Sequence, residues 1–81
     1  MFETIKEILS DQLGIACDMI DEDSSLFRDL GADSLDIVEI VMALESAFAI
    51  TIPESVYDSL SDVKSISDYI RARLDEPEEQ Q

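Results

Sequence analysis

The chain has 81 residues, and its 20 Asp and Glu against five Lys and Arg give a formal net charge of -15 at pH 7. A chain of this length forms one small domain, and such a domain buries only about 60% of the surface that it exposes when unfolded. A deep, enclosed enzyme pocket is therefore not expected. The negative charge excludes nucleic acid and disfavours anionic membrane surfaces as partners, whereas it favours proteins with basic patches.

Several kinds of site are excluded by the residue types that the chain lacks. The sequence contains no histidine and one cysteine, Cys17, which we interpret as a small apolar filler. Zinc clusters, an internal disulfide and catalysis by a Ser–His or Cys–His pair are therefore unavailable. Residues 21–32 suggest a calcium loop, but Leu26 and Ala32 stand where such a loop requires Gly and Glu. We predict no catalytic residue and no metal site.

The chain shows no sign of membrane insertion or export. No stretch approaches the roughly 20 apolar residues of a membrane span. The first residues also lack a basic segment followed by a long apolar run, which a secretory signal requires. We therefore expect a cytoplasmic protein, and at this size a monomer.

The first half of the chain predicts one helix followed by a long loop. Apolar residues recur at helical spacing from Phe2 to Leu13, and Gly14 is a natural helix stop. Residues 15–33 lose this periodicity. We expect the apolar residues of the loop to lie against the core: Ile15, Met19, Ile20, Leu26, Phe27 and Leu30.

The second half predicts two longer helices with a short one between them. The second helix runs from about Ser34 to Phe48, and Pro53 suits the first turn of a short third helix that reaches Leu60. Residues 65–68 resemble a capping box at the start of the last helix. The expected fold is all-α, a small bundle of three main helices plus one short helix.

This bundle defines the predicted domain organisation. Residues 1–75 form the single domain, since the last helical stripe ends near Leu74. Residues 76–81 consist of Glu, Pro and Gln, a composition that cannot build a core, and they are expected to form a disordered acidic tail.

The second helix carries two apolar faces. One stripe has the spacing of a core face and consists of Ile37, Ile40, Val41, Leu44 and Phe48. The other, here called the outer stripe, consists of Leu35, Val38 and Met42. Carboxylates flank the outer stripe, as they do at many partner-binding surfaces. The residues alone leave two alternatives: the outer stripe binds a partner, or the loop or the third helix covers it.

The start of the second helix places a serine at a position suited to modification. Asp33 can act as the N-cap, and Asp36 can complete a capping box. The hydroxyl of Ser34 is then not needed for capping and faces solvent in the first turn. A phosphodiester there would lie at the positive end of the helix, near unpaired N–H groups.

The residues around Ser34 resemble a known attachment signature. The segment Leu30-Gly31-Ala32-Asp33-Ser34-Leu35-Asp36, with the residues that follow it up to Phe48, closely resembles that of the acyl carrier proteins. The resemblance extends from the first helix to Asp68-Tyr69-Ile70 and so covers nearly the whole chain. It implies an acyl-carrier-like fold and a carrier that is not itself an enzyme.

The resemblance also implies a cofactor and partners. A phosphopantetheinyl transferase would move 4'-phosphopantetheine from coenzyme A, with Mg²⁺, onto Ser34, and the terminal thiol of this arm would hold an acyl group as a thioester. Enzymes of fatty acid or related acyl-chain biosynthesis would then bind through basic docking patches. Their expected contact residues are Asp33, Leu35, Asp36, Val38, Glu39, Met42, Glu45, Glu54 and Asp58.

Acyl carriers of this kind can shelter the acyl chain inside the bundle. The residues expected to line such an acyl cavity are Phe27, Ile37, Leu44, Ile52, Tyr57, Leu60 and Tyr69. The sequence departs from the family pattern here, because Ile37 and Tyr57 stand where smaller residues are common. We therefore expect a narrower cavity and an altered set of partners.

Two other functions compete with a general acyl carrier. The chain could be a specialised carrier of a polyketide, aminoacyl or aryl pathway, or an unmodified acidic helical adaptor that binds partners through the second helix alone. Incubation with coenzyme A and a transferase separates carrier from adaptor, because only a carrier gains the mass of the arm.

Overall fold

The structure is a computed structural model of the chain and describes residues 2–75. Within this range the chain folds into three α-helices and two 3-10 helices, which confirms the predicted small all-α bundle. The elements are, in chain order, α1 (Phe2–Leu13), η1 (Cys17–Met19), α2 (Ser34–Phe48), η2 (Glu54–Ser59) and α3 (Val63–Asp75). The predicted tail, residues 76–81, lies outside the described residues.

The core is a single apolar cluster to which all three α-helices contribute. Its fully buried side chains are Ile5, Leu9, Leu26, Ile40, Val41, Leu44, Val63, Ile66 and Ile70. α1 contacts both α2 and α3. The core face predicted for α2 is the buried one, with Phe48 half-buried at its end.

The long loop after α1 is tied to the start of α3 by backbone hydrogen bonds. The N–H of Leu26 donates to the carbonyl of Ser61 at 3.0 Å, and the N–H of Val63 donates to the carbonyl of Ser24 at 3.2 Å. The pairing is a single bridge between Ser25 and Asp62, and residues 26–29 form the turn that follows it. In this turn Leu26 is buried and Phe27 is exposed. Met19 is also exposed. The prediction that both residues anchor the loop in the core is therefore wrong.

The short helix before α3 differs from its prediction. Residues 54–59 form a 3-10 helix, and Pro53 precedes it in an extended conformation instead of occupying its first turn. Only six residues separate Pro53 from Leu60, and a segment this short often adopts the tighter helix.

The start of α3 also differs from the prediction. The helix begins at Val63, and the carboxylate of Asp62 accepts hydrogen bonds from the backbone N–H of Ser65 at 2.8 Å and from its hydroxyl at 2.6 Å. Ser65 therefore lies inside the helix, and Asp68 forms an ion pair with Lys64 at 3.0 Å instead of a capping box. Asp62 takes the capping role because its short carboxylate lies three residues before a free N–H.

Candidate functional site

The first turn of α2 is held by the predicted capping box. The carboxylate of Asp33 accepts a hydrogen bond from the backbone N–H of Asp36 at 3.0 Å, and that of Asp36 accepts one from the N–H of Asp33 at 3.1 Å. The chain approaches through Gly31, whose φ of 75° lies in the left-handed region that favours glycine. Asp33 and Asp36 therefore cap the start of α2, and the side chain of Ser34 is not needed for capping.

Ser34 itself is exposed as the first residue of α2. Within residues 2–75 its hydroxyl makes no hydrogen bond that would have to be broken before modification. The N–H groups of the first helical turn lack partners inside the helix, so the positive end of the helix dipole lies beside this oxygen. The site therefore fits the phosphodiester of 4'-phosphopantetheine in both access and electrostatics.

The outer stripe of α2 is open to solvent. The exposed fractions are 65% for Leu35, 39% for Val38 and 60% for Met42, so neither the loop nor η2 covers them. The sequence left open whether the loop or the third helix covers the outer stripe, and this alternative is wrong. The stripe begins one residue after Ser34 and is a contiguous exposed apolar strip, a feature that often marks protein–protein interaction sites.

The carboxylates expected around the outer stripe differ in their surroundings. Asp33, Glu39, Glu54 and Asp58 are exposed, and Asp36 is half-buried in the capping box. Glu39 also accepts a hydrogen bond from the side-chain amide of a residue on α1, Gln12. These five side chains and that of Glu45 are here called the acidic rim of the outer stripe.

Glu45 has a structural contact that sequence reasoning missed. Its half-buried carboxylate accepts a hydrogen bond from the backbone N–H of Ile52 at 2.7 Å. This bond closes the turn after α2, where Ala49 adopts a left-handed φ of 57°. No local pattern indicates a contact across seven residues, so Glu45 was expected to serve partners alone.

A cavity of about 240 Å³ opens directly beside Ser34, between α2, η2 and the loop. It is lined by Phe27, Ser34, Ile37, Val38, Glu54, Tyr57 and Asp58. The predicted acyl cavity therefore corresponds to this space only in part. Four of the predicted lining residues lie elsewhere: Leu44, Ile52 and Leu60 in the core, and Tyr69 half-buried with its hydroxyl accepting a hydrogen bond from Arg73.

Three of these four residues do not line the cavity because they are part of the packed core. Leu44, Ile52 and Leu60 are at most 3% exposed and fill the core themselves, so no open space reaches them. A helical pattern identifies residues that face inward, but it does not show where packing leaves a gap. Sequence reasoning also did not expect Val38, Glu54 and Asp58 to border the cavity as well as the outer stripe.

Comparisons with known proteins place this site in a family. Residues 3–70 match the family model of the phosphopantetheine attachment site. The chain is 47% identical over 76 residues to an acyl carrier protein of Clostridium acetobutylicum, covering 94% of this chain and 99% of that protein. It is 46% identical over 70 residues to an acyl carrier protein of Campylobacter hominis, covering 86% and 89%, and 40% identical over 74 residues to one of Guillardia theta, covering 91% of each.

The chain therefore belongs to the acyl carrier proteins of the phosphopantetheine attachment-site family. It carries acyl groups on a 4'-phosphopantetheine arm, whose thiol supplies the thioester chemistry when the arm is attached. Its relatives are carriers and not catalysts. Among the helices that the structure describes, none has the length and apolar character to cross a membrane.

Proposed function

We propose that Ser34 is the residue that bears the arm. The observation that supports this most strongly is its exposed hydroxyl at the first position of α2, beside a capping box that Asp33 and Asp36 complete without it. In the transfer reaction the Ser34 oxygen bonds to the phosphorus of the phosphopantetheine, the adenosine bisphosphate part of coenzyme A leaves, and the hydroxyl proton passes to a base on the transferase.

The other serines of the chain are less suited to this reaction. Ser24 and Ser67 are buried. The hydroxyls of Ser10, Ser59 and Ser65 donate hydrogen bonds within the fold. Exposed serines such as Ser46 and Ser55 lie inside α2 and in η2, away from the start of an α-helix. Ser61 is exposed as well, but it precedes the capping residue Asp62 and so lies outside α3. At Ser34 an exposed hydroxyl lies in the first turn of an α-helix, where the helix dipole assists an incoming phosphate.

We further propose that partner enzymes bind the outer stripe and its acidic rim. Leu35, Val38 and Met42 supply the apolar centre of the contact, and the carboxylates around them guide basic patches to it. The rim consists of Asp33, Asp36, Glu39, Glu45, Glu54 and Asp58. Because exposed charges are screened by salt, these complexes weaken as ionic strength rises.

In this proposal the protein acts as a cytoplasmic, monomeric carrier for fatty acid or related acyl-chain biosynthesis and catalyses no reaction itself. Its partners are a phosphopantetheinyl transferase and the enzymes that extend or transfer the acyl chain. The charge of -15 supports partners with basic surfaces.

Intact mass spectrometry tests the attachment site. We expect the wild-type chain to gain the mass of one arm after incubation with coenzyme A, Mg²⁺ and a phosphopantetheinyl transferase, and Ser34→Ala to gain none. Ser55→Ala is the matched control, because Ser55 is also exposed but lies in η2 and not at the start of an α-helix. Modification of Ser34→Ala, or a wild type that stays unmodified, would contradict the proposal.

Transfer kinetics test the docking surface. Met42→Ala removes an exposed apolar side chain of the outer stripe, so we expect the KM of the transferase for the carrier to rise about five-fold or more, the effect of losing a central interface contact. Leu74→Ala is the control, because Leu74 is also exposed and apolar but lies on α3. Equal KM values for the two variants would show that the outer stripe is not the docking surface.

A further inference from the structure

One peptide unit after α2 is held from both sides by charged side chains. The carboxylate of Glu45 on α2 accepts a hydrogen bond from the N–H of Ile52 at 2.7 Å. The Nη1 of Arg73 on α3 donates a hydrogen bond to the carbonyl of Thr51 at 2.6 Å. This carbonyl and the Ile52 N–H belong to the same trans peptide unit and point in opposite directions. Glu45 and Arg73 therefore hold the unit between them, and we call these two side chains the clasp.

Arg73 is itself held in the orientation that the clasp requires. It follows Tyr69 by one turn of α3, and its guanidinium lies 5.9 Å from the centroid of the Tyr69 ring. Its Nη1 also donates to the Tyr69 hydroxyl at 3.0 Å. Hydrogen bonds to a charged group are about twice as strong as those between neutral groups. The clasp therefore contributes two strong hydrogen bonds to one peptide unit.

The clasp holds the segment that leads into η2. Pro53 follows the held peptide unit directly, and η2 (Glu54–Ser59) begins at the next residue. None of the residues of η2 is buried, and within residues 2–75 no side chain caps its first turn. A single short 3-10 helix does not fix its own position. The position of η2 therefore depends on its two ends, which are the clasp before it and the buried Leu60 after it.

η2 carries two members of the acidic rim. Glu54 and Asp58 are exposed on η2, and both border the cavity beside Ser34 together with Val38 of the outer stripe. The attraction between a carboxylate and a basic partner weakens with distance, so these two charges assist docking only while η2 stays beside α2.

We propose that Glu45 and Arg73 are positioning residues of the docking surface. By holding the peptide unit after α2, the clasp fixes η2 and places Glu54 and Asp58 beside the outer stripe. This inference rests on the proposed docking of partner enzymes on the outer stripe and its acidic rim. Arg73 takes part without touching the partner, from a helix that lies outside the docking surface.

The charge of Arg73 alone would have the opposite effect on docking. A basic patch is repelled by a positive side chain, so loss of this charge should leave docking unchanged or strengthen it. The clasp predicts the reverse, because loss of Arg73 releases the peptide unit and with it η2. The sign of the change in KM therefore distinguishes positioning from simple charge.

Transfer kinetics of Arg73→Ala test the inference. We expect the KM of a phosphopantetheinyl transferase for the carrier to rise about two- to five-fold, the effect of losing an exposed ion pair, with kcat unchanged. Arg71→Ala is the matched control, because it removes the same charge from α3 but lies outside the clasp, 3.8 Å from Asp68. Its KM should stay unchanged or fall. Arg73→Lys keeps the charge and a donor, and it should restore the wild-type KM in part.

A second substitution shows whether Arg73 acts through η2. Asp58→Asn should raise the KM of the otherwise wild-type carrier about two- to five-fold. In the Arg73→Ala background it should add little, because the carboxylate has already moved away from the docking surface. In the Arg71→Ala background it should add its full effect. A general loss of structure would leave the effects of Arg73→Ala and Asp58→Asn additive.

Two variants of Glu45 test the other half of the clasp and decide the inference if Arg73→Ala does not fold. Both Glu45→Gln and Glu45→Ala remove the charge, but only glutamine keeps an oxygen that accepts from the Ile52 N–H. We expect Glu45→Ala to raise KM at least two-fold more than Glu45→Gln. Amide hydrogen exchange at Ile52, measured by NMR, should accelerate in Glu45→Ala and less in Glu45→Gln.

The outcomes separate this inference from the proposed function. Equal KM values for Arg73→Ala and Arg71→Ala would overturn it, as would equal KM values for the two Glu45 variants or a full effect of Asp58→Asn in the Arg73→Ala background. In these cases Met42→Ala would still raise KM, so the docking surface would stand. If neither Met42→Ala nor Asp58→Asn changed KM, the proposed docking surface itself would be wrong, and the inference would fall with it.

Discussion

The helices α2 and α3 begin in the same way but present different surfaces. Each follows an aspartate whose carboxylate accepts the N–H of the third helical residue, at 3.0 Å for Asp33 and 2.8 Å for Asp62. The next residue is the exposed Ser34 in α2, whereas in α3 it is Val63, which is fully buried. The same capping arrangement therefore presents a hydroxyl to solvent in one helix and an apolar side chain to the core in the other.

The faces turned away from the core differ as well. On α2 this face carries the exposed outer stripe, whereas on α3 it carries Lys64, Asp68 and Arg71, with the Asp68 carboxylate 3.0 Å from Lys64 and 3.8 Å from Arg71. Helix α3 shows that this fold can cover an outward face with ordinary charged residues. The exposed apolar residues of α2 are therefore not required by the fold, which supports their assignment to partner binding.

The largest expected effects concern the core faces, which should behave alike in both helices. Leu44 in α2 and Ile70 in α3 are both fully buried. We expect Leu44→Ala and Ile70→Ala each to lower the free energy of unfolding by about 2–5 kcal/mol, because each leaves a cavity in a packed core. Urea denaturation measures this. If only one of the two variants lost less than about 1 kcal/mol of unfolding free energy, the two core faces would not be equivalent.

The two helix caps should contribute less to stability than the core faces, and by similar amounts in α2 and α3. We expect Asp33→Ala and Asp62→Ala each to cost about 1 kcal/mol of stability, since each leaves a helix-terminal N–H without its acceptor. The measurement is urea denaturation at neutral pH. An effect confined to Asp62→Ala would show that the start of α2 is held by contacts other than its capping box.

The cap of α3 adds a pH dependence. The side-chain and backbone hydrogen bonds from Ser65 lower the pKa of Asp62 in the folded protein. The folded state therefore favours the charged carboxylate, and the cap contributes fully above the ordinary pKa of Asp. Its contribution is lost as pH falls through the lowered value, so the stability difference between wild type and Asp62→Ala should shrink in that range. A difference that is constant down to the most acidic pH would contradict this assignment.

The outer faces should matter least for stability. We expect Met42→Ala and Lys64→Ala each to change the free energy of unfolding by no more than about 0.5 kcal/mol, because both side chains are exposed. Only Met42→Ala should weaken binding of partner enzymes. A large loss of stability in Met42→Ala would mean that the outer stripe serves the fold and not a partner.

Local sequence patterns predicted α2 best. Its bounds, Ser34 and Phe48, its capping box and its two apolar faces follow from periodicity and from residues within one turn of each other. The start of α3 was predicted at the wrong residue, because two acidic cap patterns overlap there and the geometry favours Asp62 over Ser65. Phe27 is exposed in the turn that follows the bridge between Ser25 and Asp62, and no local pattern encodes a contact between residues so far apart along the chain.

The candidate site shows the same division between local and distant contacts. The exposed position of Ser34 and the course of the outer stripe could be predicted, since both depend on the register of a single helix. The second contact of Glu45, with Ile52, and the extent of the cavity could not. Both depend on how the segment after α2 returns to it, and a cavity is what remains after all side chains have packed.

The most direct test of the account is to locate the arm on the chain. The wild-type protein is modified with coenzyme A and a phosphopantetheinyl transferase, digested, and analysed by tandem mass spectrometry. The account predicts that the arm is found on Ser34, at the exposed start of α2, and on no other residue. An arm on a different side chain, with Ser34 unmodified, would contradict it.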